Sequence, residues 1–305
     1  MNITMHGGAI GGRFKLEAFK ADKEGNEIAG SRRIAADWFN NLITDNGLEL
    51  YGSSSTYLQY CQVGTGSTTP ANGDTALAAR VAGTSTQQAT SQGCQADAPY
   101  FTWRSRTYRF AEGVAAGNLA EVGMGAASTG NLFSRALILD NMGDPTTITV
   151  LADEVLDVTY EFRVYPPTTD WTGTVTLDSV EYDVTGRASG VTNLSYWGIS
   201  STGESNIASI SAAYNGAIGA ITALPAGSSD NTTSVSTASY SAASLRRDAT
   251  LTWGLNDGNL AGGITAVRAK FGVGTYQFGF DPAIPKDGTK VLQLTVRNSW
   301  TRKTL

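Results

Sequence analysis

The sequence predicts an all-β protein of antiparallel, sandwich-like domains carrying one or two short helices. Three observations lead there. Apolar and polar residues alternate with period two in one segment after another, the pattern of strands with a single buried face. Turn formers are abundant, with 35 glycines among 305 residues, which suits many short strands joined by tight turns. Charged residues are only 16% of the chain, well below the roughly 25% of an average soluble protein, and the profile is low in helix formers, which speaks against a bundle or coiled coil. The 41% hydrophobic content still supplies a core, which separates this chain from disordered ones.

The elements follow in chain order. A first strand is expected over 13–19, and the run Ala21-Asp22-Lys23-Glu24-Gly25-Asn26-Glu27 reads as a hairpin turn. Thr44 can cap a short helix, with Asp45 in its first turn, Leu48 and Tyr51 on its apolar face and Gly52 as its stop. Gly47 lowers the helix propensity of that segment. Strands are expected over 57–63, 100–110, 119–124 and 133–139. Gly64 to Thr75, with Pro70 and Asn72-Gly73-Asp74, reads as a turn-rich loop, and a second helix is expected over 74–81. The cleanest alternation is Val155–Tyr165. Leu156, Val158, Tyr160, Phe162 and Val164 point one way; Asp157, Thr159, Glu161 and Arg163 point the other, toward solvent.

Pro166-Pro167-Thr168-Thr169 cannot continue a ladder and marks the best domain boundary. The predicted organisation is an N-terminal β domain over 1–165, a linker at 166–169 and a C-terminal β domain over 170–305. Strands are expected at Trp171–Leu177 and 290–297. The stretch 200–244 is mostly Ser, Ala, Gly, Thr and Asn, which reads as long loops, thin strands needing a partner chain, or partial disorder.

Charge and motifs exclude several functions. The net charge is −5 with a pI near 5.0, so no global basic face exists for nucleic acid. No apolar run reaches the length of a membrane helix, and the first residues lack a basic n-region followed by an apolar core, so neither membrane insertion nor secretion is expected. The single histidine, His6, has no placeable catalytic partner. Gly64-Thr65-Gly66 and Gly123-Met124-Gly125 lack the residues that complete a phosphate loop. Cys61 and Cys94 form no disulfide framework or zinc motif; two buried thiols or a single bridge both fit. The acidic groups Asp153, Glu154 and Asp157, and Asp178, Glu181 and Asp183, read as solvated strand edges. Arg104, Arg106 and Arg109 alternate with aromatic residues in a strand, where stacking and ion pairing explain them as well as a ligand would. No catalytic residue, metal ligand or cofactor is expected. Tyr196, Trp197 and Tyr214, beside Gly- and Asn-rich turns, are the aromatic residues expected on exposed loops, as contacts for a receptor.

Several separated blocks carry a family likeness. Asn41-Leu42-Ile43-Thr44-Asp45-Asn46-Gly47-Leu48, Cys61-Gln62-Val63-Gly64-Thr65-Gly66-Ser67-Thr68-Thr69-Pro70-Ala71, Asn131-Leu132-Phe133-Ser134-Arg135-Ala136-Leu137-Ile138-Leu139-Asp140, Pro145 to Glu154 and Leu156 to Pro167 follow one another in an order that resembles tail-fibre and tail-tip proteins of tailed bacteriophages. The resemblance covers about residues 10–167 and stops there. It implies a non-enzymatic structural component of the virion tail, assembled in the host cytoplasm. Its expected partners are other tail proteins, two further copies in a homotrimer, and a glycan or protein receptor on the host cell. The N-terminal domain would attach to the tail and the C-terminal one would face outward. The alternatives are a glycan-binding or glycan-cleaving module of a phage particle and a capsid decoration protein.

Overall fold

The computed structural model describes residues 2–5, 7–54, 56–199, 208–272 and 274–303. Among them the chain forms 23 strands and two short helices, arranged in five hydrogen-bonded sheets whose pairings are antiparallel apart from two terminal ones.

Val155–Tyr165 is the centre of a six-stranded sheet. Ala9–Phe19 and Thr102–Phe110 flank it, both antiparallel. Gln87–Cys94 closes one side, and Arg33–Asn40 and Thr301–Arg302 share the other. The alternation sorts as expected on one face: Leu156, Val158, Tyr160, Phe162 and Val164 are all buried. The opposite face departs from expectation. Asp157 and Glu161 are buried too. Arg109 donates to both oxygens of Asp157 at 2.8 Å, and Arg32 reaches the same carboxylate at 3.2 Å. Arg13 Nε and Arg163 Nε bond Glu161 at 3.0 and 2.6 Å. These guanidinium groups also lie over rings: Arg32 over Phe19 at 4.2 Å, Arg13 over Trp38 at 4.3 Å and Arg163 over Phe101 at 4.4 Å. The planar arginine fork satisfies the acids while its flat face covers the aromatics, so water is displaced from a face that the sequence alone makes look wet.

The helix begins as predicted. Thr44 Oγ1 accepts the Gly47 N–H at 2.9 Å, and the helix Asp45–Ser53 runs one residue past Gly52. Leu48 and Tyr51 face the core. Gly47 has a tertiary purpose: a Cβ there would lie 2.0 Å from the carbonyl oxygen of Phe133. The residue that weakens the helix locally is the one that lets it seat against strand Leu132–Leu137. That strand belongs to a five-stranded sheet in the order Leu42–Ile43, Leu132–Leu137, Glu121–Gly125, Tyr60–Gly64, Arg80–Thr84.

The helix expected over 74–81 does not form; the segment is a loop leading into strand Arg80–Thr84. The N–H groups of Ala78 and Ala79 donate to the Glu121 carboxylate at 3.0 and 2.7 Å, and Asp74 takes Arg135 at 2.6 Å. A tertiary acceptor has claimed the donors that a helix would use internally. The second helix is instead the single turn Leu194–Trp197, capped by the Asn193 side chain.

After Pro166-Pro167 the chain enters a second six-stranded sheet, ordered Trp171–Leu177, Val180–Ala188, Thr275–Ile284, Ile264–Phe271, Ala208–Tyr214, Ser229–Asn231. A four-stranded sheet, ordered Asn2–Met5, Leu292–Ser299, Arg246–Trp253, Ser234–Thr237, lies with it. Of the stretch 200–244, residues 200–207 lie outside the described residues; the small-residue strand Ala208–Tyr214 pairs with the chain's own Ile264–Phe271. The ends of the chain are exchanged between the halves. Asn2–Met5 runs parallel to Leu292–Ser299, and Thr301–Arg302 runs parallel to the start of Ala9–Phe19. Trp300 sits at this crossing, 2% exposed, donating its indole N–H to Leu48 O at 2.9 Å and meeting the ring of Tyr51 edge-on at 5.4 Å.

Candidate functional site

Of the three aromatic residues expected on exposed loops, Trp197 and Tyr214 are buried and Tyr196 is half-buried. Trp197 is buried; its indole N–H donates to Ser189 O at 2.8 Å and its ring meets Tyr276 edge-on at 5.6 Å. Tyr214 is buried against Ala212, Ala266 and Ile218. Tyr196 is half-buried, with Arg268 over its ring at 5.6 Å. Its ring lies so close to Gly190 that a Cβ there would come within 2.7 Å. The exposure expected for Trp197 and Tyr214 is therefore corrected. Neighbouring Gly and Asn residues shape the turns, while the rings fill the spaces those turns leave against the sheet.

Most of the charged residues singled out in the sequence are engaged within the chain. Arg106 is buried and donates to Leu58 O at 3.1 Å and Tyr108 Oη at 3.2 Å. Arg104 donates to Gln92 and to Ile199 O. Asp153 bonds Lys20 at 2.7 Å and Glu154 bonds Arg33 at 2.8 Å. The Arg33 guanidinium holds the Glu154 carboxyl below the usual carboxylate range, and Lys20 does the same for Asp153. Asp178, Glu181 and Asp183 are exposed as expected, and Asp183 stands opposite Asp281 across neighbouring strands. Cys61 and Cys94 are free thiols; Cys61 is buried, which pushes its thiol pKa up. His6 lies outside the described residues.

The surface carries two clefts of note. The smaller, about 490 Å³, runs beside Asp183 and Asp281 and is lined also by Asn215, Ile218, Thr265 and Phe280. The larger, about 920 Å³, opens between strand Arg33–Asn40 and the turn that follows Leu139. Asp37, Trp38, Asn40, Asn41, Asp140 and Asn141 supply most of its polar and aromatic wall, and Arg302 and Lys303 close one end. It continues along the strand into a second space of about 350 Å³ bounded by Ile34 and Thr147. The turn is pinned by Asp140, whose Oδ1 accepts the N–H groups of Met142 and Asp144 at 2.8 and 3.0 Å. Met142 stands at its tip, 90% exposed. None of these wall residues forms a motif in one dimension. The available signals are the polar-aromatic run from Asp37 to Asn41 and the turn signature Asp140-Asn141-Met142-Gly143-Asp144, separated by about a third of the chain.

No protein-family model matches the chain, and neither a curated protein nor a solved structure matches it.

Proposed function

We propose that the protein is a non-enzymatic structural component of a bacteriophage tail tip or tail fibre, built from copies of this chain and contacting the host surface. The observation that supports this reading is the way its resemblance-bearing blocks meet. Thr44 donates its hydroxyl to Leu132 O at 2.9 Å, Asn46 donates to the same carbonyl at 2.8 Å, and Ile43 pairs with Ser134. Arg135 bonds Thr68 O at 2.9 Å and Asp74 at 2.6 Å. Blocks that lie up to about ninety residues apart thus behave as one interlocked unit, as expected if they are shared as a unit.

Two open strand edges add to the case for assembly. Trp171–Leu177 and Gln87–Cys94 each pair on one side only, carry no charged residue and are largely exposed. Such edges invite pairing unless a neighbour covers them. Immunogold labelling of intact particles tests the reading. Label at the distal tail is the expected result; label over the capsid would transfer the protein to the decoration class, and unlabelled particles would remove it from the virion. Light scattering of the purified chain tests the trimer, and a stable monomer at micromolar concentration counts against it.

A further inference from the structure

We propose that the cleft between strand Arg33–Asn40 and the turn at 140–144 binds a neutral oligosaccharide. Its volume, about 920 Å³, lies within the range of small-molecule sites, roughly 300–1,000 Å³. Trp38 supplies an aromatic surface. Trp38 is 36% exposed and its indole is held by the Arg13 guanidinium, centred 4.3 Å from the ring, so little side-chain freedom is left to lose on binding. An amphipathic ring of this kind suits the C–H face of a sugar.

The hydrogen-bonding groups select hydroxyls over charges. Asn40 and Asn141 line the cleft, are exposed, and have no side-chain partner among the described residues. Each amide offers donors and an acceptor together, the combination a hydroxyl needs. The charged groups are partly engaged within the chain. Asp37 Oδ1 accepts the Trp38 N–H at 2.8 Å, and Asp140 Oδ1 holds the turn. On the cationic side, Arg302 bonds Asp45 at 2.7 Å and Lys303 lies over the Tyr165 ring at 5.4 Å. The lining therefore sets two carboxylates, Asp37 and Asp140, against one cation without an ion-pair partner among the described residues, Lys303, which disfavours an anionic ligand, while the second oxygens of Asp37 and Asp140 remain as acceptors for hydroxyl groups. The cleft's walls are a strand and a pinned turn, so the groups are set before the ligand arrives. This inference does not depend on the tail assignment, because it concerns the isolated chain.

The test is binding of the purified full-length protein to an array of neutral gluco-, manno-, galacto- and N-acetylglucosamine oligomers, with sialylated and uronic acid glycans printed beside them. Retention of at least one neutral glycan is expected. Trp38→Ala and Asn141→Ala should each raise its Kd by about tenfold or more, and Trp38→Phe should keep most of the affinity. Both positions are exposed, and thermal melts establish that the variants are folded; should Trp38→Ala lose its fold, Asn141→Ala decides. The proposal is overturned if no neutral glycan is retained, if only acidic glycans are retained, or if affinity is unchanged in the folded variants. Concentration-dependent self-association abolished by Trp38→Ala would equally overturn it, by assigning this cleft to a second copy of the chain.

Discussion

Arg135 keeps its guanidinium almost wholly out of water, 2% exposed, and shares it between Glu121 at 2.9 Å, Asp74 and Thr68. Glu121, itself fully buried, also accepts the N–H groups of Gly66, Ala78 and Ala79. One ion pair therefore organises the whole loop from Gly66 to Arg80. Losing one partner of such a pair costs about 3–5 kcal/mol, because the other charge stays buried alone. Arg135→Ala is expected to lose that much in urea unfolding and to make the loop protease-sensitive; a variant as stable as the parent would refute the organising role. The thiols differ in the same local way. Native protein should consume one equivalent of thiol reagent, at half-buried Cys94, and a second only on unfolding, since Cys61 is buried and its thiolate disfavoured. Carboxylates set the acid limit. Arg33, Arg187 and Arg297 hold Glu154, Asp170 and Asp248 below their ordinary values of 4.5 for Glu and 3.8 for Asp. Folded values lower than unfolded ones give stability that is present above those ordinary values and lost as pH falls through the folded ones. The melting temperature should accordingly be flat near neutral pH and drop in acid, and Asp248→Asn should shrink the drop.

Strand Val155–Tyr165 has two buried faces of different chemistry, and substitutions should report each. Phe162 is fully buried, with the rings of Tyr57 and Phe133 at 5.9 and 5.5 Å. Phe162→Ala is expected to cost about 3–5 kcal/mol. Glu161 lies one residue away on the other face and bonds two arginines. An isolated surface acid would contribute about 0–1 kcal/mol. Glu161→Ala should instead cost about 1.5–3 kcal/mol, the range for hydrogen bonds to charged groups. Chemical denaturation of the two variants separates these values, and a negligible effect at Glu161 would mean that the arginine layer is only surface ornament to stability.

At the scale of the whole molecule, the exchanged termini tie the two sequence halves together. Asn2–Met5 completes a sheet otherwise made of C-terminal strands, and Thr301–Arg302 joins the N-terminal sheet beside Ala9 and Ile10. Lys303 continues this docking by donating its N–H to Ile10 O at 2.8 Å. A protease cut at 166–169 should therefore leave fragments that co-elute under native conditions and part only in denaturant. Two fragments that separate by native size exclusion would show that the exchange is too weak to hold them. Removing residues 300–303 should loosen the nicked protein far more than it loosens the intact chain, because the covalent link no longer limits how far the halves can move apart.

Local pattern was enough for much of this. The helix start at Thr44, strand Trp171–Leu177 and strand Val155–Tyr165 were legible residue by residue, because capping chemistry and period-two burial act between near neighbours. What the pattern missed depends on partners distant in sequence. The loop at 74–79 forgoes helix because Glu121 takes its amides, the carboxylates on the outer face of Val155–Tyr165 are buried because arginines from four segments cover them, and Trp197 and Tyr214 are core because a sheet lies beneath their turns. The cleft beside Trp38 was invisible for the same reason: its two walls are a strand and a turn some hundred residues apart. Composition and periodicity determined that this chain would be β-rich and, in its clearest strand Val155–Tyr165, which face would be apolar; only the tertiary structure decided which polar faces are also covered, because that depends on where distant arginines and carboxylates find one another.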